Sequence, residues 1–210
     1  MNARFITFEG GEGAGKSTLL AGLRTHLEIR GIQPVLTREP GGTALGEGVR
    51  ALVLGAGHGP VCAESELLLM FAARAQLVRE VIRPALAAGR VVLCDRFADA
   101  SYAYQGGGRG QPAERIAALE HWAVDGLEPD LTLLLDVPVQ TGRERIAGRA
   151  SSDRIESEND AFFERVRAVY RQRAASEPQR FCVIDASQTP AQVLTQAVAA
   201  LDRLLDGPEP

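Results

Sequence analysis

Residues 10–17 read Gly-Gly-Glu-Gly-Ala-Gly-Lys-Ser, which matches the pattern GxxxxGK[ST]. An apolar run over residues 5–8 precedes this segment, and leucines at helical spacing follow it from Leu19 to Leu27. In such an order of strand, glycine-rich loop and helix, backbone N–H groups at the start of the helix attract phosphate oxygens. The segment therefore predicts an α/β fold with a nucleotide phosphate site directly after its first strand.

Lys16 is the single lysine among 23 basic residues. A coding bias toward arginine explains the skew, so the surviving lysine indicates a need for a compact charge on a flexible stem. Lys16 is then expected to reach the β- and γ-phosphates of a nucleotide, with the Ser17 hydroxyl on Mg²⁺. A dinucleotide-binding loop is the alternative, but the spacing of Gly11, Gly13 and Gly15 does not match GxGxxG.

Composition excludes several classes of protein. Apolar residues make up 45% and charged residues 24% of 210 residues, the balance of a globular protein. A net charge of -4 argues against a protein whose main task is to hold nucleic acid through its phosphates. Three cysteines without a CxxC pair predict a reduced, cytosolic protein. The longest apolar run, residues 67–73, is too short to span a membrane, and we expect no secretion signal.

Five apolar runs have the length of buried strands: residues 5–8, 34–37, 91–94, 131–135 and 181–184. Apolar residues at the spacing of amphipathic helices recur within residues 19–27, 67–82, 116–122, 162–170 and 193–204. Apolar strands that alternate with helices imply a five-stranded parallel sheet covered by helices on both faces. No repeat or linker interrupts the pattern before residue 207, so we expect one domain over residues 1–210.

The third apolar run ends in Asp95, Arg96 and Phe97, at the edge of the sheet where α/β folds bind ligands. Asp95 is a candidate to hold or orient a Mg²⁺ shell, and Arg96 is a candidate to clamp an acceptor phosphate. An exposed ion pair at a strand end is the alternative. A GTP switch is excluded, because its Asn-Lys-x-Asp motif for guanine needs a lysine besides Lys16.

Residues 143–154 contain four arginines among small residues: Arg143, Arg145, Arg149 and Arg154. This segment predicts a mobile lid that brings Arg149 or Arg154 over a γ-phosphoryl group and offsets the charge that develops in its transfer. Composition alone favours the alternative, a solvated helix face on which Glu144 and Asp153 pair with the arginines.

Three further motifs accompany the phosphate loop. They are Arg-Glu-Pro-Gly-Gly-Thr at residues 38–43, Asp-Arg-Phe at 95–97 and Asp-Arg-Ile-Glu at 153–156. With these motifs the chain resembles the bacterial type of thymidylate kinase along most of its length. The resemblance implies a P-loop kinase fold with a lid over about residues 143–156. It also implies transfer of the γ-phosphoryl group of ATP to dTMP by a homodimer with Mg²⁺. From the composition we expect a cytoplasmic protein with no nucleic-acid or membrane partner.

The resemblance assigns roles position by position. For catalysis it implies Lys16, Arg96, Arg149, Arg154, Asp95 and Glu12, and for the metal it implies Ser17 and Asp95. For ATP it implies Gly10, Gly11, Glu12, Gly13, Ala14, Gly15, Lys16, Ser17, Thr18 and Arg143. For dTMP it implies Glu12, Arg38, Pro40, Met70, Phe71, Arg74, Arg96, Ser101, Tyr104 and Gln105. In the dTMP set, Arg38 and Arg96 correspond to residues that face the acceptor phosphate, and Arg74 to the arginine that reads a thymine carbonyl.

The chain departs from the family pattern at one base-binding position. The family usually has a thymine-stacking phenylalanine four residues before the base-reading arginine, and this chain has Met70 there, followed by Phe71. A thioether is polarizable enough to cover a pyrimidine, so either residue is a candidate and core packing is the alternative. The eukaryotic branch of the family has an arginine at the position of Gly13. Its absence here assigns that cationic role to the lid, chiefly to Arg149.

Residues 106–110, Gly-Gly-Gly-Arg-Gly, also resemble the family, and we expect a mobile loop because they neither follow a strand nor open a helix. Cys94 lies within a predicted strand and is expected to be a core residue. Two alternatives to a thymidylate kinase stay open. A kinase for another nucleoside monophosphate would differ in the base pocket around Arg74 and Gln105. A regulatory ATPase would hydrolyse ATP without any acceptor.

Overall fold

The computed structural model describes residues 3–55, 59–147 and 153–207. Its five strands are β1 (Arg4–Glu9), β2 (Val35–Arg38), β3 (Val91–Asp95), β4 (Leu131–Asp136) and β5 (Phe181–Asp185). They form one parallel sheet in the order β2-β3-β1-β4-β5. The expected five-stranded parallel sheet is therefore confirmed, with each strand lying over one of the predicted apolar runs.

The α-helices are α1 (Lys16–Ile29), α2 (Ala44–Leu54), α3 (Ala63–Leu77), α4 (Arg83–Ala87), α5 (Ala98–Ser101), α6 (Ala113–Val124), α7 (Val139–Ile146), α8 (Asp160–Ser176) and α9 (Pro190–Asp206). Two segments with π-helical hydrogen bonding, Val78–Ile82 and Tyr102–Gly108, extend α3 and α5. None of these described helices is long and apolar enough to cross a lipid bilayer.

The core lies on both faces of the sheet, as alternation along each strand requires. Ile6 and Phe8 of β1 pack with α1 and α9 on one face. Phe5 of β1 packs on the other face, together with Cys94 of β3 and with the segments after α3 and α6. Cys94 is completely buried, so its expected place in the core is confirmed.

Residues 106–108 belong to a helical segment, so the interpretation of this stretch as a mobile loop is wrong. Arg165 of α8 donates to the carbonyl oxygens of Gly107 and Gly108, at 3.0 Å each. A Cβ atom on Gly108 would lie 2.4 Å from the ring of Phe162, also on α8. Gly107 and Gly108 therefore leave the space that α8 needs to pack directly on this segment.

Candidate active site

A cleft of about 880 Å³ follows the carboxyl edge of the sheet. Arg38 at the end of β2 and Ala186 after β5 both line it. Because β2 and β5 are the two edge strands, the cleft crosses the sheet from one side to the other. Its size suits a small-molecule site, and its position is the one that parallel α/β folds use for ligands.

The predicted phosphate loop forms the middle of this cleft, where Glu12 to Thr18 line it. Lys16 is the first residue of α1, and its Nζ donates to the carbonyl oxygens of Gly10 at 3.0 Å and Gly11 at 3.1 Å. Burial lowers the pKa of Lys16, and the positive charge of Arg96 lowers it further. An anion bound in the cleft would therefore favour the charged form of this amine.

The loop packs directly on α7 at a pair of glycines. A Cβ atom on Gly13, whose φ is +72°, would lie 2.0 Å from the carbonyl oxygen of Gly142. A Cβ atom on Gly142 would lie 2.4 Å from the carbonyl oxygen of Glu12. These distances are well below van der Waals contact, so both positions require glycine with the backbones in this arrangement. The phosphate loop and the helix that leads into the predicted lid therefore touch backbone to backbone.

Arg96 directly follows β3 and has a φ of 70°, which is uncommon for any residue except glycine. Its Nη1 donates to the Gly10 carbonyl oxygen at 3.0 Å and the Tyr170 hydroxyl at 3.2 Å. Its Nη2 donates to Glu12 Oε1 at 2.6 Å and the Tyr104 hydroxyl at 3.0 Å. These four contacts fix the orientation of the guanidinium group beside the phosphate loop, as a preformed anion-binding site requires.

Glu9 is a buried carboxyl group whose role was not predicted. Its Oε1 accepts from the Phe97 backbone N–H at 2.7 Å, and its Oε2 accepts from the Tyr170 hydroxyl at 2.6 Å. Burial raises its pKa to about 8, and the nearby Asp99 contributes in the same direction. Glu9 thereby fixes both the turn that carries Arg96 and the tyrosine that contacts it. The sequence feature that could have indicated this role is an acidic residue directly after the apolar run of residues 5–8.

We expect Glu9→Gln to stabilise the fold increasingly, relative to wild type, as the pH rises. The pKa of Glu9 is about 8 in the fold and 4.5 for an unperturbed glutamate, so between these values the folded chain keeps a proton that the unfolded chain has lost. The contribution of Glu9 to the free energy of unfolding of the wild type therefore falls as the pH rises, by at most about 1.4 kcal/mol per pH unit. The glutamine amide does not titrate, so the variant does not lose this stability. Urea unfolding of both proteins between about pH 5 and pH 8 measures the difference. A difference independent of pH would contradict the prediction.

The β2 side of the cleft carries half of the ten predicted dTMP residues. Those that line it on this side are Arg38, Pro40, Met70, Tyr104 and Gln105. Of the two base-covering candidates, Met70 lines the cleft, whereas Phe71 packs against Leu67 and Ile116 in the core. The exposed side chain of Arg38 is paired with both carboxylate oxygens of Glu47, at 3.1 and 3.0 Å.

Arg74 and Ser101 lie behind this wall and are fully buried. Arg74 donates from Nε to Glu39 Oε2 at 2.8 Å, from Nη1 to Ser101 Oγ at 3.0 Å and from Nη2 to the Phe97 carbonyl oxygen at 3.0 Å. Burial raises the pKa of Glu39, against the opposing charge of Arg74. All three guanidinium nitrogens thus bind protein groups, and Glu39 is the member of this pair that lines the cleft.

The predicted lid arginines divide between the cleft and its flanks. Arg149 lies outside the described residues. Arg143 pairs with Asp160 of α8, whereas Arg145 lines the cleft and donates to the Ala186 carbonyl oxygen at 2.8 Å. The sequence alone does not show which of Arg143 and Arg145 enters the cleft, because both lie in the last turn of α7.

Arg154 is held on the opposite flank. Its Nε donates to the Val53 carbonyl oxygen at 2.8 Å, and its Nη2 binds the buried carboxylate of Glu66. Asp153 and Glu156, from the same motif, line the cleft. Sequence reasoning did not single out Glu66, although a carboxylate in the most apolar stretch of α3 is a signal of a buried polar contact.

Comparison with known proteins agrees with this site. A sequence model of the thymidylate kinase family matches residues 8–197. Thymidylate kinase from Ectopseudomonas mendocina (strain ymp) is 55% identical over 206 residues, covering 98% of both chains. The Pseudomonas putida (strain W619) enzyme is 57% identical over 197 residues, covering 94% of this chain and 95% of that one.

A solved structure gives the same result. The crystal structure of thymidylate kinase from Ehrlichia chaffeensis superposes with a TM-score of 0.78 at 34% sequence identity, covering 96% of this chain and 99% of that one. The expected P-loop kinase fold is therefore confirmed. On these matches the chain belongs to the thymidylate kinase family, the ATP-dependent enzymes that phosphorylate dTMP to dTDP.

Proposed function

We propose that ATP binds over the phosphate loop with its nucleoside toward β5, and that dTMP binds on the β2 side of the same cleft. The observation that carries this proposal is the continuity of the cleft, which joins Lys16 and Met70 with Arg96 between them. Two nucleotides in one continuous cleft meet at their phosphates, where the cationic side chains lie. The predicted ATP residues Glu12 to Thr18 all line this region.

Transfer then depends on positioning and on neutralisation of charge. The phosphate of dTMP is already ionised, so the acceptor needs no general base. Lys16, whose Nζ lies at the phosphate loop beside the carbonyl groups of Gly10 and Gly11, would neutralise the β- and γ-phosphates of ATP. Arg96, which Glu12 holds at 2.6 Å, faces the acceptor phosphate, and that phosphate would compete with Glu12 for the guanidinium.

Mg²⁺ would neutralise charge across the β- and γ-phosphates when it is bound. We assign its protein contacts to Ser17 and Asp95. In support, both residues line the cleft, and Asp95 Oδ1 is buried without a hydrogen-bond partner in the described part of the chain. A single carboxylate, a hydroxyl group and substrate phosphates are a typical environment for Mg²⁺.

Residues 1–210 form one nucleoside monophosphate kinase domain in this proposal, with a lid over about residues 143–156. Arg149 and Arg154 of this lid, with Arg143 at its start, supply positive charge to ATP. The lining of the cleft by Arg145, Asp153 and Glu156 supports a lid at this place. Because Arg154 is bound to Glu66, reaching the γ-phosphoryl group requires Arg154 to leave that carboxylate.

A homodimer also belongs to the proposal. The exposed large apolar side chains include Leu45 and Leu52 of α2, Leu68 of α3 and Trp122 of α6. Helix α3 contacts both α2 and α6, so these side chains lie on neighbouring elements. Exposed apolar groups that cluster in this way favour burial against a second copy of the chain. The three cysteines are free thiols, which supports a cytoplasmic location.

Acceptor preference tests the proposed function. ADP release from ATP and Mg²⁺ is measured with dTMP, dCMP, dAMP or dGMP offered separately, and without any acceptor. We expect release to depend on an acceptor and to be fastest with dTMP, because the β2 side of the cleft carries the family's dTMP residues. Preference for another monophosphate would contradict the substrate, and equal release without an acceptor would indicate an ATPase.

A further inference from the structure

Glu66 is a completely buried carboxylate on α3. Two arginines pair with it: Arg109, whose Nε lies 3.3 Å from Oε2, and Arg154 of the lid motif. A third donor is the side-chain amide of Gln105, whose Nε2 lies 2.9 Å from Glu66 Oε1. All three partners donate to Glu66, so its carboxylate acts as a hydrogen-bond acceptor in this cluster.

This chemistry decides the orientation of the Gln105 amide. The group that faces Glu66 must be the NH₂, because the amide oxygen would be repelled by the carboxylate. The amide oxygen therefore points the other way. Gln105 is only 3% exposed and lines the cleft, and its Oε1 is buried without a hydrogen-bond partner among the described residues. A buried acceptor without a partner costs free energy unless a ligand supplies a donor.

We propose that Glu66 is a positioning residue for the acceptor nucleotide, fixing Gln105 so that its amide oxygen accepts a hydrogen bond from dTMP. This inference rests on the proposed function. Two groups of dTMP donate at neutral pH, the N3–H of thymine and the 3′-hydroxyl of the sugar. Cytosine has an acceptor at N3, so a fixed oxygen that meets the base edge rejects dCMP, whereas an oxygen that meets the sugar does not distinguish the bases.

Glu66→Gln is the direct test, because it keeps the shape of the side chain and lets the Gln105 amide turn over. We expect the KM for dTMP to rise about tenfold or more, as for one lost hydrogen bond in a buried site. The KM for ATP should rise less than the KM for dTMP: Glu66 also binds Arg154, which the proposed function places at ATP, but the substitution leaves Arg154 itself in the lid. A general structural defect would raise both constants. An unchanged KM for dTMP in a folded Glu66→Gln protein would overturn the proposal.

The matched control is Glu158→Gln. Glu158 also pairs with Arg109, at 2.5 Å from Nη1, but it does not contact Gln105. This substitution removes the same charge from the same cluster, and we expect the KM for dTMP to stay within about twofold of wild type. An equal rise of KM in both variants would assign the effect to charge alone and overturn the positioning role.

A double variant isolates the action through Gln105. Gln105→Leu removes the amide, so adding Glu66→Gln to it should cause no further rise in the KM for dTMP. Independent, multiplying effects would overturn the proposal. Comparing dTMP with 3′-deoxy-dTMP and dCMP in wild type and Gln105→Leu identifies the donor. Loss of discrimination against dCMP indicates N3–H, and loss of discrimination against the 3′-deoxy nucleotide indicates the hydroxyl.

Thermal unfolding of each variant accompanies the kinetics. If Glu66→Gln does not fold, Gln105→Leu carries the test, because it removes the amide oxygen that the proposal directs at dTMP without adding a charge. A raised KM for dTMP in that variant supports the proposal, and a wild-type KM overturns it. Wild-type ADP release that does not depend on dTMP would instead contradict the proposed function, so the two failures are distinguishable.

Discussion

Lys16→Met should reduce the turnover number by about 10²- to 10³-fold, the loss expected when one preorganised charge at a transferring phosphoryl group is removed. The fold should remain intact. Burial lowers the pKa of Lys16, which means that the surroundings already disfavour its charge, and methionine fills a similar volume without one. Steady-state ADP release with ATP and dTMP measures the first expectation, and the midpoint of thermal unfolding measures the second.

Lys16→Arg separates charge from shape in the same experiment. It keeps the positive charge but replaces a compact ammonium, which contacts the carbonyl oxygens of Gly10 and Gly11, by a larger planar group with fixed donor directions. We expect it to lose most of the activity as well. Wild-type turnover in Lys16→Met would refute the role of the phosphate loop, and full activity in Lys16→Arg would show that charge alone suffices.

Arg74→Met should destabilise the fold by about 3–5 kcal/mol, because it leaves the carboxylate of Glu39 buried without its partner. Both side chains are at most 2% exposed, so water does not replace the lost guanidinium. The cost should grow as the pH rises above the ordinary glutamate range. Burial already raises the pKa of Glu39, and loss of Arg74 raises it further, so the ionised form becomes the unfavourable one. Denaturant unfolding at two pH values measures both effects.

Two further variants provide a control for Arg74→Met and a test of rescue. Arg79→Met removes an exposed arginine in the segment after the same helix and should change the free energy of unfolding by less than about 0.5 kcal/mol. Adding Glu39→Gln to Arg74→Met should restore much of the lost stability, because an amide is far cheaper to bury than an unpaired carboxylate. A small cost for Arg74→Met, or no recovery in the double variant, would show that the ion pair does not hold the wall of the cleft.

The sheet was predictable from the sequence because its strands are buried on both faces. Such strands are continuous apolar runs, and all five runs became strands, each extended at its end by one polar residue, such as Glu9 after Phe8 and Asp95 after Cys94. Of these added residues, Arg38 and Asp95 line the cleft. The phosphate loop was equally predictable, since its glycines and lysine are required by local backbone geometry and charge.

Among the described helices that the sequence did not predict, α2 and α7 were missed for different reasons. Helix α2 contains Gly46 and Gly48, which obscure its helical propensity. Its start is fixed by Thr43, whose hydroxyl accepts from the Gly46 N–H at 3.0 Å, and Gly46 lets the helix approach the Gly41 carbonyl oxygen. Helix α7 is short and mostly polar, so charge dominates its pattern. In both, tertiary contacts decide what the local sequence leaves open.

The supporting residues of the site were the least predictable. Motifs identify side chains that touch a nucleotide, but they do not show which of those side chains point into the cleft. Arg74 was expected to read the base and is buried behind the wall, while its partner Glu39 reaches the cleft. Glu9 and Glu66 act across 88 and 39 residues of sequence, on Phe97 and Gln105, and such contacts depend on how the strands and helices pack.

The contact between Gly13 and Gly142 bears on how this branch of the family differs from the eukaryotic one. A side chain at position 13 would occupy the space of the Gly142 carbonyl group, so an arginine cannot be introduced there while α7 keeps its place. A chain with its catalytic cation on the loop must therefore hold this helix farther away. Moving a cation onto the loop of this chain would therefore require paired substitutions and a shift of α7.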